Sequence, residues 1–275
     1  MPGYIDLKLL TDTHCHLNFY HYHHDLDQII QRARDCDISR ILVPGIDLAT
    51  SVQAVELSEK YTEIFAAVGI HPNQAISSKE KDLNELQVLS QHPKVVAIGE
   101  IGLDYFRDTS PPDIQKQVLE KMLDLAVQVK KPVVIHNRQA WQDMWPILSN
   151  WQMMLTETNN SIAQRPGVLH SFDGNHILAK NASQQHFHLG VSGPITFTNA
   201  LTYQTLVTDL PIEVILLETD SPYLTPHPHR GKRNEPANVK GIAEKIAHLH
   251  NRSYDDVLLE TSQNADDLFL WRSID

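Results

Sequence analysis

A chain of 275 residues, 41% hydrophobic and 21% charged, has an ordinary soluble-globular composition and can fill one large core. No apolar run approaches the roughly 20 residues needed to cross a bilayer, and residues 1–12 lack the basic start and long apolar stretch of a secretion signal. The formal net charge of −11, with sixteen histidines counted as neutral, excludes a non-specific nucleic-acid coat protein but not an enzyme acting on strand ends. Two cysteines occur, Cys15 and Cys36. Cys15 lies between two histidines, so no structural disulfide is expected, and the cytoplasm is the expected compartment.

Short apolar runs rich in β-branched residues recur along the chain at 8–12, 40–44, 65–69, 95–99, 133–136, 168–170, 187–191 and 214–218. Most lack polar alternation, as in strands covered on both faces. Segments with apolar residues three and four apart read as helices at 26–36, 49–61, 115–129, 141–148, 177–184, 201–208, 239–250 and 254–269. Pro111-Pro112 suits a helix start and Pro132 a stop. Strand alternating with helix eight times predicts a single (β/α)8 TIM-type barrel over residues 1–275. The polar, Asn-rich stretch 156–165 reads as a surface loop without a catalytic role.

Ligand-type residues fall at the ends of these strands. Asp12-Thr13-His14-Cys15-His16 follows the first, and Glu100 follows the fourth. His136 ends the fifth, His170 ends the sixth and Asp220 follows the eighth. In a parallel barrel all these ends lie on the face where active sites are built. Taken alone, a His at a strand end is more often a packing residue, and a lone Asp or Glu is usually a cap or a solvated charge. Together, His14, His16, Glu100, His136, His170 and Asp220 point to one metal site. His14 and His16, two apart on extended chain, face the same side. Imidazole with carboxylate favours zinc, manganese or a neighbouring transition metal. Six ligands are too many for one catalytic ion with an open position, so two divalent ions bridged by Glu100 are expected, with Asp220 also taking the proton from the attacking water.

A basic loop follows Asp220 and contains His229, Arg230, Lys232 and Arg233. Arg230, Lys232 and Arg233, with Arg138, are expected to contact phosphate. His71, after the third strand, is a further candidate for the pocket wall. Trp141, Trp145 and Trp151 are assigned to packing rather than base stacking, because Trp141 and Trp145 lie four apart on one predicted helix. His21, His23 and His24 read as a solvated or rim turn rather than a second metal site.

The segments Thr11–Leu17, Gly69-Ile70-His71-Pro72, Gly99–Tyr105, His136-Asn137-Arg138, His170–Gly174, Glu218–Leu224 and Arg230–Pro236 occur in that order. In these segments the chain resembles the TatD family of metal-dependent deoxyribonucleases, within the amidohydrolase-like barrels, from about Leu10 to Phe269. The resemblance implies that His14, His16, Glu100 and Asp220 surround one ion, and Glu100, His136 and His170 the other. It also implies hydrolysis of DNA phosphodiesters, trimming from the 3′ end, commonly with magnesium. Asn18 stands where the family often has Asp, which bears on the pocket wall, and the 156–165 loop is longer than usual, which bears on substrate access. The expected partner is DNA, single-stranded or at strand ends, with no membrane; the oligomeric state is open, a monomer being the working expectation. Two rivals remain. One is a hydrolase of the same barrel class acting on a small ester or amide, or on aminoacyl-tRNA, and the other is a metal-binding scaffold without catalysis.

Overall fold

The computed structural model describes residues 10–274. Eight parallel strands stand in sequence order: β1 (Leu10–Asp12), β2 (Ile38–Pro44), β3 (Ile64–Val68), β4 (Val95–Asp104), β5 (Val133–Arg138), β6 (Gly167–Leu169), β7 (His188–Val191) and β8 (Ile215–Leu217). Helices alternate with them: α1 (Leu26–Asp35), α2 (Leu48–Lys60), α3 (Glu80–Leu89), α4 (Pro112–Val129), α5 (Trp141–Glu157), α6 (His176–Gln184), α7 (Leu201–Asp209), α8 (Val239–His250) and α9 (Tyr254–Phe269). The expected α/β barrel is therefore present. The circle closes between β8 and β1 through a parallel bridge of Cys15 with Ser221. Backbone hydrogen bonds from Thr13 N to Leu217 O (2.9 Å), Asp220 N to His14 O (2.9 Å) and His16 N to Ser221 O (2.8 Å) complete the seam.

The apolar strand runs supply two separate cores, because alternate side chains of a barrel strand point inward and outward. Leu42, Phe65, Val96, Val134, Val168 and Leu216 cluster with Leu268, Phe269 and Trp271, so the end of α9 plugs the interior. Ile41, Val43, Ile64, Ile98 and Ile135 pack outward against the helices. Helix starts carry local signals: Asp47 accepts from Thr50 N at 2.8 Å in a capping box on α2, and Pro112 opens α4. Ser253 caps α9 through a bond from Asp256 N of 3.1 Å. No helix among the described residues is long and apolar enough to cross a membrane.

The sequence reading needs several corrections. Of the predicted first strand, Lys8 and Leu9 lie outside the described residues. Helix α3 went unrecognised; its sequence is mostly polar and only Leu86 is buried. The described residues hold nine α-helices rather than eight, and the predicted eight included both α8 and α9, which follow β8. Helix α5 runs nine residues past the predicted end at 148, since Trp151, Gln152 and Leu155 continue its buried face. Strand β4 runs through Glu100 to Asp104 rather than ending at 99, and β5 continues two residues past His136. The stretch 156–165 begins as the last turn of α5, and its remainder is packed: Ile162 is fully buried, and Gln152 donates to Ala163 O at 2.7 Å. It enters β6 at its N-terminal end, opposite the face formed by the C-terminal ends of the strands, so it does not govern access to that face. Asn18 donates to Pro44 O and Thr50 O, both at 3.0 Å, and so ties the loop after β1 to β2 and α2.

Candidate metal centre

The C-terminal strand ends bring the six predicted ligands together. His14 and His16 leave β1 with their Nε2 atoms 3.2 Å apart. Glu100 Oε2 lies 3.5 Å from each of them, and Asp220 Oδ1 lies 4.0 Å from His14 Nε2 and 3.7 Å from His16 Nε2. Glu100 reaches this point from within β4. Between Ile98 and Ile101 three steps on β4 match two on β5, from Val133 to Ile135, and this bulge re-aims the side chain. Its other oxygen, Oε1, lies 2.9 Å from His136 Nδ1 and 3.8 Å from His71 Nε2. His170 stacks on His14 with ring centroids 3.5 Å apart and places Nε2 3.7 Å from Asp220 Oδ1. Asp220 has φ +54°, a left-handed backbone that a non-glycine residue adopts at a cost.

Donors about 2.0–2.2 Å from one ion stand roughly 3–3.6 Å apart in a tetrahedral set. The separations among His14, His16 and Glu100, 3.2–3.5 Å, fit that spread, while those from Asp220, 3.7 and 4.0 Å, lie beyond it. Glu100 also faces a second group, with His71 and His136, where the expectation was His136 and His170; His170 falls instead with His14 and Glu218. His14, His16 and Asp220 also form a compact group of their own, as do His14, His170 and Glu218.

Electrostatics point the same way. Burial holds His14 well below the usual histidine range and His16 at about 4, so both rings keep free lone pairs. Burial alone would raise Glu100, but His14, His71 and His136 hold it well below the usual carboxylate range. His136 rises to about 9, burial being outweighed by Asp104 and Glu100. His170 rises to about 10, burial being outweighed by Glu218 and Asp220. The surrounding carboxylates thus favour positive charge at these rings, and divalent ions satisfy the same demand. Burial pushes Asp220 up to about 7, against the pull of His170.

Two carboxylates that the sequence reading left without a role support the histidines. Glu218 is fully buried, with Oε1 3.0 Å from His170 Nδ1. Asp104 Oδ2 lies 3.4 Å from His136 Nε2. Such partners orient metal-binding imidazoles. The period-two argument applied to His14 and His16 would have flagged Glu218, two residues before Asp220. Asp12, also buried, accepts from Thr219 N at 2.9 Å and Thr219 Oγ1 at 2.6 Å, fastening β1 to the end of β8.

The cluster lies at a cavity of about 1190 Å³. His71 and Arg138 line it as expected, and Arg107, absent from the sequence reading, joins them. His71 Nδ1 accepts from Asn73 N at 3.1 Å, so the neutral ring carries its proton on Nε2, facing Glu100. Arg138 is held over the Phe106 ring at 3.8 Å. Arg230, Lys232 and Arg233 are exposed and are not among the lining residues. Arg230 stacks on Phe197 at 3.8 Å, and Arg233 pairs with Asp25 while donating to His21 O. Trp141 lines the cavity, contrary to its assignment to packing alone; Trp145 and Trp151 pack as expected. His23 and His24 are exposed, and none of the three turn histidines joins a metal-type cluster among the described residues. Cys15 and Cys36 are free thiols.

Comparison with known proteins agrees with this geometry. The model of a family described as TatD related DNase matches residues 11–270. The uncharacterized metal-dependent hydrolase YabD of Bacillus subtilis (strain 168) is 43% identical over 261 residues, covering 95% of this chain and 99% of that protein. The crystal structure of YjjV, a TatD homolog from Escherichia coli K12, superposes with a TM-score of 0.87 at 30% identity, covering 95% of this chain and 98% of that one. A TatD family hydrolase from Entamoeba histolytica, at 24% identity and a TM-score of 0.79 over 94% of this chain and 97% of its own, shares the fold.

Proposed function

The chain belongs to the TatD-related family of metal-dependent hydrolases, and from that premise we propose that it cleaves DNA phosphodiester bonds, trimming single strands or strand ends from the 3′ side. The observation that carries this reading is the pair of guanidinium groups, Arg107 and Arg138, on the wall of the cavity that holds the carboxylate–histidine cluster. Guanidinium forks suit phosphate oxygens.

His14, His16, Glu100 and Asp220 would hold one divalent ion, and Glu100, His136 and His170 a second; zinc, manganese and magnesium are the candidates. When bound, such ions polarise the phosphoryl group and make water a better nucleophile. The protein's own groups do the rest. The Asp220 carboxylate, beside the proposed ion, accepts a proton from the attacking water. His71 Nε2 offers a proton to a phosphate oxygen, while Arg138, fixed on Phe106, and Arg107 hold the strand. Water oxygen bonds to phosphorus, the bond to the neighbouring 3′ oxygen breaks, that oxygen takes up the proton removed from water, and a nucleoside 5′-monophosphate leaves.

The net charge of −11 favours a second reading, hydrolysis of a small ester or amide, or of an aminoacyl ester on transfer RNA. One experiment separates them: metal analysis of the purified protein, with digestion of short single-stranded DNA labelled at the 3′ or the 5′ end. Magnesium, manganese or chelator is added, and Asp220→Asn serves as comparison. Metal-dependent loss of the 3′ label, slowed about 100-fold or more in Asp220→Asn, is the expected outcome. Bound metal without shortening of DNA would overturn the nuclease reading in favour of the ester or amide.

A further inference from the structure

The cavity has two chemically different sides. The loop after β4 and the end of β5 supply both of its guanidinium groups, on Arg107 and Arg138. The side built from the start of α5, the loop after β6 and helix α7 contributes no Arg or Lys to the lining. It presents Trp141, Phe172, Tyr203 and Leu206 instead, with the Asp173 carboxylate among them. The Trp141 ring is fixed, since Nε1 donates to Asp173 Oδ1 at 2.6 Å and the ring packs 5.6 Å from Phe172, itself buried.

Resting on the nuclease reading above, we propose that this aromatic lobe seats the nucleobase of the nucleotide being released, and that the Arg107–Arg138 lobe seats the phosphate of the nucleotide that remains on the strand. A carboxylate on an apolar wall repels phosphate, so the lobe admits the uncharged, flat part of a nucleotide. Trp141 provides a stacking face that accepts any base. The scissile phosphate then lies between the lobes, over the carboxylate–histidine cluster. This arrangement gives the polarity of digestion a structural basis: the terminal nucleoside fits one side and the charged strand the other.

The test is calorimetric titration of the metal-loaded protein with thymidine 5′-monophosphate, 2-deoxyribose 5-phosphate and a thymidine dinucleotide that bears a 5′-phosphate and a non-hydrolysable phosphonate linkage. The mononucleotide is expected to bind about tenfold more tightly than the sugar phosphate. Trp141→Ala should close that gap without changing the affinity for 2-deoxyribose 5-phosphate. Trp141→Phe, which keeps a smaller stacking ring and loses the bond to Asp173, should retain part of it and guards against a folding defect. Arg107→Ala should weaken the dinucleotide several-fold and leave the mononucleotide unchanged. Equal affinity of wild type for the two monophosphates, or a Trp141→Ala that weakens both alike, would overturn the assignment. Base-dependent binding in a protein that cleaves no DNA would support the lobe and remove the nuclease reading. DNA shortening without base-dependent binding would do the reverse.

Discussion

Glu218 does not line the cavity, yet the position of His170 depends on it. Its carboxylate faces His170 Nδ1 at 3.0 Å and accepts the Ser171 backbone N–H. It fits tightly over Gly190, where a Cβ would collide with Oε2. With Nδ1 turned to Glu218, Nε2 is the His170 atom that faces Asp220. Asp104 makes the equivalent contact with His136 through the other ring nitrogen. Glu218→Gln keeps the shape and removes the charge that raises imidazole basicity. It is expected to weaken metal binding by about 10- to 100-fold, read by competition with a chromophoric chelator. Unchanged affinity would show that Glu218 serves packing alone.

Among the elements, β4 does the most to set the site, because its bulge aims Glu100 and its far end pairs with β5 at Gly102 opposite His136. Gly102 has φ +151°, and an added Cβ would collide with the His136 carbonyl oxygen. Gly102→Ala should therefore cost about 1–3 kcal/mol or more through overpacking, with weakened metal binding as His136 shifts. Gly231→Ala is the control: φ is +83° but nothing lies within 4 Å, so only the backbone cost of about 1–2 kcal/mol applies. Equal loss of thermal stability in the two, with metal binding intact in both, would refute the collision account. The same elements show what a sequence can reveal. The strands were legible because buried parallel strands are continuous apolar runs, and the ligands because strand ends converge on one face. The bulge was not legible, since Ile98 to Leu103 looks alike in either register. Helix α3 was missed because it buries little. Arg233 looked like a phosphate contact because its partner Asp25 is 208 positions away, a pairing that no local period encodes.

At the scale of the whole molecule, the barrel's closure and its chemistry share the same residues. The seam between β8 and β1 runs through hydrogen bonds of His14, His16 and Asp220, three of the proposed ligands. Without ions, Glu100, Asp220, Glu218 and Asp104 crowd one small volume of a protein already at net charge −11, and only histidine protons balance them. Ions that bind the folded chain are therefore expected also to hold the circle closed. Metal at about 100 times its dissociation constant adds roughly 2.7 kcal/mol to stability. For a chain of this size that is a rise in Tm of about 5–10 °C, at about 2–4 °C per kcal/mol. A chelator should reverse the rise, and hydrogen exchange should accelerate first at the amides of Thr13, His16 and Asp220, which bridge the seam. If exchange instead quickened evenly around all eight strands, or Tm ignored the chelator, the ions would have no part in closing the barrel.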